Sequence, residues 1–344
     1  MNSDGFSTVR ISTADLPEKD RIAIWREHYG RKTLKLDIEP INDSSLECSI
    51  LLRALPGVQI MSTAMSPVRI TRGREFLADG NDDLIFIINQ SGTATVFARG
   101  REVVLRQGHA LLMSASEAKV FDRHCHGGSL SFRIPRSSIS SIVADVDDRV
   151  MHLIPREAEV LKLLAGYAAP LFNEIALATA EFRRTAVNHL LDLIALALGA
   201  TDDVIGLANK RGLPAARLSI AKCYIVENSF RRDLTVSAVA THLGVTPRNL
   251  QRMFESEGTT FSEFLLGQRL SRAHRMLTEP GRIQSAVATV AYDAGFGDLS
   301  YFNRSFKRRF GATPRDVRQA GSGSTGTNAS RQVEEQVRRF RETV

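Results

Sequence analysis

Residues 283–314 read IQSAVATVAYDAGFGDLSYFNRSFKRRFGATP, and their periodicity decides the fold of the C-terminal third of the chain. Ile283, Ala286, Val287, Val290 and Ala291 fall at i, i+3, i+4, i+7 and i+8, which is one face of a helix. Gly295 stops that helix, Phe296 can pack behind it, and Asp298 can cap the next by accepting from its first free N–H groups. The second helix turns Phe302 and Phe306 inward and leaves Asn303, Arg304, Lys307 and Arg308 largely outside. Gly311 and Pro314 follow it as stop signals. Helix, glycine-containing turn and basic helix are, in that order, a helix-turn-helix.

The same pattern occurs 51 residues earlier, where Val239-Ala-Thr-His-Leu-Gly244 aligns with Val290-Ala-Tyr-Asp-Ala-Gly295. The helix after Gly244 is capped by Thr246 and stiffened by Pro247 at its first position. Leu250, Met253 and Phe254 can pack inward, while Arg248, Asn249, Gln251 and Arg252 face out or sit at the boundary. Ala240 and Ala291 hold matching places, where a small side chain lets two helices approach closely. A helical bundle with solvated basic faces would account for one such copy, but not for two in frame. The charge points the same way: residues 217–318 hold 16 Lys and Arg against 9 Asp and Glu, a surplus equal to the whole chain's +7. A surface that displaces counterions from a phosphate backbone carries such a surplus.

The segment resembles the AraC/XylS family of bacterial transcription regulators. Gly295, Phe296, Asp298, Ser300, Tyr301, Phe302, Arg304, Phe306, Lys307, Gly311, Thr313, Pro314 and Arg318 follow the family's C-terminal pattern, with Thr313 where serine is more usual. Phe254 with Gly258, and Arg269, Leu270, Ala273 and Leu277, are similar to the end of the first motif and the linking helix. Thr246 also replaces the family's common serine, a conservative change for a cap. The resemblance implies two helix-turn-helices joined by a long helix, and it says little about which promoter is read. Leu266, Leu270, Ala273 and Leu277, at i, i+4, i+7 and i+11, support that linking helix from the residues themselves.

The remaining two thirds read differently. The chain's length suggests two domains, and 43% hydrophobic residues can supply a core for each. The first residues lack a basic head and an apolar run, and no stretch approaches ~20 uninterrupted apolar residues, so no leader and no membrane span are expected. Cys48, Cys125 and Cys223 are scattered, without a CxxC, and read as ordinary thiols of a reducing cytoplasm. Trp25 reads as a core or domain-packing residue on a short helix near residues 22–29.

Residues 45–135 are short runs rich in Ile, Val, Leu and Phe, divided by turn formers such as Asp79-Gly-Asn-Asp-Asp83 and Ser91-Gly92. They predict a small β barrel or jelly roll. The family resemblance implies a cupin-like sensing domain, and Leu105, Gly108 and Leu111 resemble a degenerate cupin turn. Phe86, Phe97, Phe121, His124, His126, Phe132 and Arg133 mark the region of an effector pocket, although phenylalanine on alternating strands is more often plain core. As alternate residues of a strand, His124 and His126 could share a face. A metal needs several converging imidazole and carboxylate ligands; no suitably spaced Glu follows and His109 stands apart, so no metal or other cofactor is expected.

Two apolar-rich helices follow within residues 156–199. Their broad stripes need a partner: the barrel, each other, or a second copy, as dimerisation in the family suggests. The expected architecture is α+β with two domains. Residues 1–200 form an effector-sensing domain of cupin-like barrel and helices, 201–216 a linker, 217–318 an all-α double helix-turn-helix domain and 319–344 a flexible tail.

The candidate base readers are Arg248, Asn249, Gln251 and Arg252 in the first motif, with Leu299, Ser300, Asn303 and Arg304 in the second. Lys307, Arg308 and Arg309 are the candidate phosphate contacts. A sensor followed by a DNA reader implies a transcription regulator with promoter DNA and a small molecule as partners, and RNA polymerase too if it activates. No catalytic residues are expected. Two alternatives stay open: a metal-dependent cupin-like enzyme fused to a DNA module, and a DNA-binding protein that ignores small molecules.

Overall fold

The computed structural model describes residues 8–41, 46–173, 179–199, 212–278 and 286–321. They belong to two compact units, one ending at Ala216 and the other spanning Arg217–Asn328. Among the described residues the first unit holds twelve strands: β1 Thr8–Ser12, β2 Asp37–Pro40, β3 Cys48–Leu55, β4 Val58–Met65, β5 Val68–Arg72 and β6 Leu84–Asn89. The others are β7 Ala94–Ala98, β8 Arg101–Leu105, β9 Ala110–Ser114, β10 Lys119–Arg123, β11 Gly127–Ile134 and β12 Leu153–Ile154.

The cupin-like barrel expected over residues 45–135 is not what these strands make. They form two open sheets, one of seven strands in the order β1-β3-β4-β11-β6-β9-β12 and one of five in the order β2-β5-β10-β7-β8. Closure would require each strand to be paired on both sides, whereas β1, β12, β2 and β8 are edges. Strand-and-turn spacing predicts hairpins but not partners. β6 and β7 are sequence neighbours yet belong to different sheets, and β11 pairs with both β4 and β6.

One core cluster draws on both sheets. Val9, Ile11, Ile50, Leu52 and Met65 of the larger sheet meet Ile38 and Val68 of the smaller around Trp25 and Tyr29. Trp25 is fully buried, as a core role requires. It opens the wide-turned helical stretch Trp25–Leu34, which ends at Lys35 with φ +54°. The two later helices, Glu159–Ala168 and Ala180–Ala197, bury Leu161, Leu164 and Tyr167 on one and Ala186, Leu190 and Leu193 on the other. Tyr167 Oη and His189 Nδ1 lie 2.9 Å apart across them, so each helix covers part of the other's apolar stripe.

Asp37 on β2 accepts from Arg26 Nε at 2.6 Å and from Arg31 Nη2 at 2.8 Å. The hydrogen bonds from Arg26, then Arg31, hold its carboxyl well below the usual carboxylate range, against a smaller opposing effect of burial. A depressed carboxylate stabilises the fold above the ordinary value of about 4 and loses that contribution as the pH falls toward the folded value. Chemical denaturation between pH 7 and pH 3 is expected to show a steeper acid decline for the natural chain than for D37N.

Every regular element described in the second unit is a helix. Thr235 caps Val236–His242, Thr246 caps Pro247–Glu255, and Thr260 with Glu263 forms a reciprocal capping box at the start of Phe261–Thr278. Val287–Asp293, Leu299–Phe310 and Pro314–Gly321 complete it. The helix Phe261–Thr278 serves two cores. Phe261 and Leu265 join Leu250, Met253 and Phe254 of the first motif, while Leu270, Ala273, Met276 and Leu277 join Val290, Phe302 and Phe306 of the second. The linker expected at 201–216 falls mainly on residues outside those described, and the helix Gly212–Asn228 already occupies its end. The tail expected from 319 also lies outside them beyond Gly321.

Candidate nucleic-acid interface

Each motif is built by local chemistry. In the first, the N–H of Asn249 donates to Thr246 Oγ1 at 3.2 Å, and Gly244 takes the turn with φ +65°. Burying Leu250, Met253 and Phe254 fixes the rotation of the helix Pro247–Glu255 and leaves Arg248, Asn249, Gln251 and Arg252 exposed. In the second, the N–H of Tyr301 donates to Asp298 Oδ1 at 2.6 Å, and Gly295 takes the turn with φ +95°. Phe302 and Phe306 are fully buried, which leaves Ser300, Asn303, Arg304, Lys307, Arg308 and Arg309 exposed. Gly311, at φ +73°, closes this helix through an N–H bond to the Lys307 carbonyl at 2.9 Å. Ala240 and Ala291 are fully buried at matching places.

Leu299 is half-buried against the second core, so less of it is free for a thymine methyl than the sequence suggests. Among the described residues, Arg248, Arg252, Arg304, Lys307 and Arg308 make no ion pair; Arg309 lies over the Phe310 ring at 5.9 Å. Unpaired cations on a fixed helix face can each accept a phosphate or a guanine edge without first breaking an internal bridge. Arg304, Lys307 and Asn303 also line a groove with Arg315 and Arg318, neither of which is among the DNA contacts expected from the sequence. Their signal was present in the spacing: Thr313 and Asp316 cap the next helix reciprocally, which sets Arg315 and Arg318 one turn apart.

Arg269 is a further residue whose role only the fold shows. Its Nε donates to the Ser229 carbonyl at 2.9 Å and its Nη2 to the Arg231 carbonyl at 2.7 Å. The Gly295 turn lies against the same place, within 3.0 Å of the Phe230 carbonyl as measured from an added Cβ. The linking helix, the loop entering the first motif and the turn of the second therefore meet at one joint. Replacing the Thr246 cap with alanine is expected to cost about 1 kcal/mol, readable by urea denaturation.

The residues expected to line an effector pocket divide. Phe86 and Phe132 are fully buried with ring centroids 6.4 Å apart, which is core packing, and Phe121 lies beneath the buried Arg123 guanidinium at 5.6 Å. Phe97 is exposed. His124 and His126 sit in the turn between β10 and β11, not on one strand face; they lie 3.3 Å from Thr95 Oγ1 and from Glu47 Oε2 respectively. Among the described residues no group of three or more His, Cys, Asp or Glu is placed to hold a metal ion. Of the set, Arg133 lines a cavity between the two sheets, with its Nε donating to Asp83 Oδ2 at 2.7 Å. No described helix is long and apolar enough to cross a membrane.

Two helix-turn-helices, each with exposed cations on its capped second helix and both packed on the helix Phe261–Thr278, define a DNA-binding transcription regulator. Residues 239–320 match the helix-turn-helix domain family, and residues 25–199, just over half of the chain, match the AraC-binding-like domain family. The chain belongs to the AraC/XylS family of transcription regulators. The transcriptional activator RhrA of Rhizobium meliloti (strain 1021) is 34% identical over 175 residues, 51% of this chain and 54% of RhrA. The transcriptional activator NphR of a Rhodococcus species is 26% identical over 242 residues, 69% of this chain and 70% of NphR. The match therefore spans about half the length of RhrA and rather more of NphR. The solved structure of the AraC-like transcriptional activator CuxR is 17% identical with a TM-score of 0.48, covering 84% of this chain and 100% of that one.

Proposed function

We propose that this chain is a small-molecule-responsive activator of transcription. The helices Pro247–Glu255 and Leu299–Phe310 enter successive major-groove segments on one face of the duplex. Arg248 and Arg252 meet guanine edges, Asn249 or Gln251 meets adenine, and Ser300, Asn303 and Arg304 contact bases or phosphates of the next segment. Lys307, Arg308 and Arg309, with Arg315, follow the phosphate backbone. The observation that carries this reading is the pair of capped helices whose exposed faces hold unpaired cations. Activation is supported by the naming of both RhrA and NphR as activators, and it would bring RNA polymerase to the bound promoter. A bound effector would shift the equilibrium between states that differ in DNA affinity. A second copy could pair through the N-terminal unit.

Selection of genomic fragments by the full-length chain, repeated across salt and with metabolites present, tests this. The expected result is enrichment of a repeated sequence near promoters. Salt-sensitive binding with no enriched sequence would reduce the two helices to phosphate contacts and remove specific regulation.

A further inference from the structure

A cavity of about 300 Å³ lies in the N-terminal unit, with walls from both sheets. Leu36, Leu52, Met61 and Ile85 give it an apolar side. Four basic residues line it: Lys35, an exposed residue whose carbonyl accepts from Arg72, and three cations of the strands, Arg72 from β5, Lys119 from β10 and Arg133 from β11. Two of the three strand cations are already neutralised. Arg72 Nη2 reaches both carboxylate oxygens of Asp79 at 2.9 Å, and Arg133 is held by Asp83.

Lys119 is different. It is only 9% exposed, and its Nζ donates to the carbonyls of Ser114 at 2.7 Å and Glu117 at 3.3 Å. An ammonium has three donors, so one remains beyond these two bonds. Among the described residues no carboxylate stands within ion-pairing distance of it. Burial, and after it the charge of Arg72, pushes Lys119 down to about 8, against weaker opposing effects of Glu117 and Asp79. A buried cation without a counter-ion is costly, and an arriving anion relieves that cost.

We propose that this cavity binds a small organic acid, its carboxylate paired with Lys119 and its apolar body against Leu36, Leu52, Met61 and Ile85. The acid is the effector that the proposed function calls for, and the inference rests on that reading. Phosphate is a poorer match, because the Arg72 fork that would grip its oxygens is committed to Asp79 and to the Ala115 and Lys35 carbonyls, and the charge of Arg133 is already paired with Asp83. The cavity volume, at the lower end of the range for ligand sites, sets the size class at that of hexanoate or phenylacetate.

Calorimetric titration of the full-length chain with hexanoate, phenylacetate, their neutral amides and inorganic phosphate tests the site. At least one of the two acids is expected to bind ten-fold or more tightly than its amide. At pH 8.5 that binding should take up protons, seen as a heat that varies with the ionisation enthalpy of the buffer. K119M should erase the preference for acid over amide. The acid–amide comparison needs no substituted chain, so it stands even if K119M folds poorly. Equal binding of acid and amide, no binding of either acid, preference for phosphate, or undiminished acid preference in K119M would each overturn the proposal. Genomic fragment selection on the same preparation reads the regulator function separately. Enriched fragments without acid binding would overturn this site alone, and acid binding without enriched fragments would overturn specific regulation while supporting the site.

Discussion

Replacing Gly295 with alanine is expected to destabilise the second motif by roughly 3 kcal/mol, at the upper end of single-residue effects, and to abolish specific DNA binding. Two costs add. The backbone at Gly295 has φ +95°, where an L side chain is strained by about 1–2 kcal/mol. A Cβ there would also stand 2.5 Å from the Ser229 carbonyl and 3.0 Å from that of Phe230, and backbone cannot move aside as a side-chain tip can. Gly244, the matching residue of the first motif, isolates the first cost. Its φ is +65° and an added Cβ would meet nothing within 4 Å, so G244A should lose only the strain. Urea denaturation of both variants measures the difference. Equal losses would mean that the joint at Ser229, Phe230 and Arg269 yields, and that the two motifs are not fixed to one another there.

The second unit was legible because its determinants are local. A cap at Thr246 or Asp298, a glycine turn and an apolar face at helical period all lie within about twenty residues. Even the linking helix announces itself through Thr260 and Glu263, three residues apart. The sheets of the first unit were legible only as strands. β11 begins with Gly127 and Gly128, weak strand formers by propensity, yet it is central because its pairing with β4 and β6 is decided by residues some 40 to 70 positions away. The cavity suffers the same loss. Leu36, Met61, Lys119 and Arg133 share no motif, and only the fold gathers them. Conversely, the His124-Cys125-His126 run is conspicuous in sequence and sits in a turn. A fully buried Phe86 is indistinguishable by sequence from one lining a pocket.

Arg252 and Lys307 separate reading a base from holding the backbone, and their alanine variants are expected to fail in different ways. Arg252 is exposed on the first motif's helix, one turn beyond Arg248 on the same face. Its planar fork suits a guanine edge, and such a pair is worth about 1–3 kcal/mol of discrimination. R252A should therefore lose roughly 5- to 150-fold on the selected sequence, lose far less on a scrambled duplex, and tolerate substitution at one base position. R252K tests the mechanism, because it keeps the charge and removes the fork; it should resemble R252A on the selected sequence. Lys307 is exposed in the last turn of Leu299–Phe310 and lines the groove beside Arg304. As a phosphate contact it carries no sequence information, so K307A should weaken both duplexes by a similar factor. The slope of log affinity against log salt should become shallower by about 0.9, one phosphate's share of released counterion. Lys307 also stands at a helix C-terminus, where a cation stabilises the helix by some 0.3–1 kcal/mol, so thermal melting of K307A must accompany the titration. A loss of stability with an unchanged salt slope would make Lys307 a helix-end residue and leave the phosphate path to Arg308, Arg309 and Arg315.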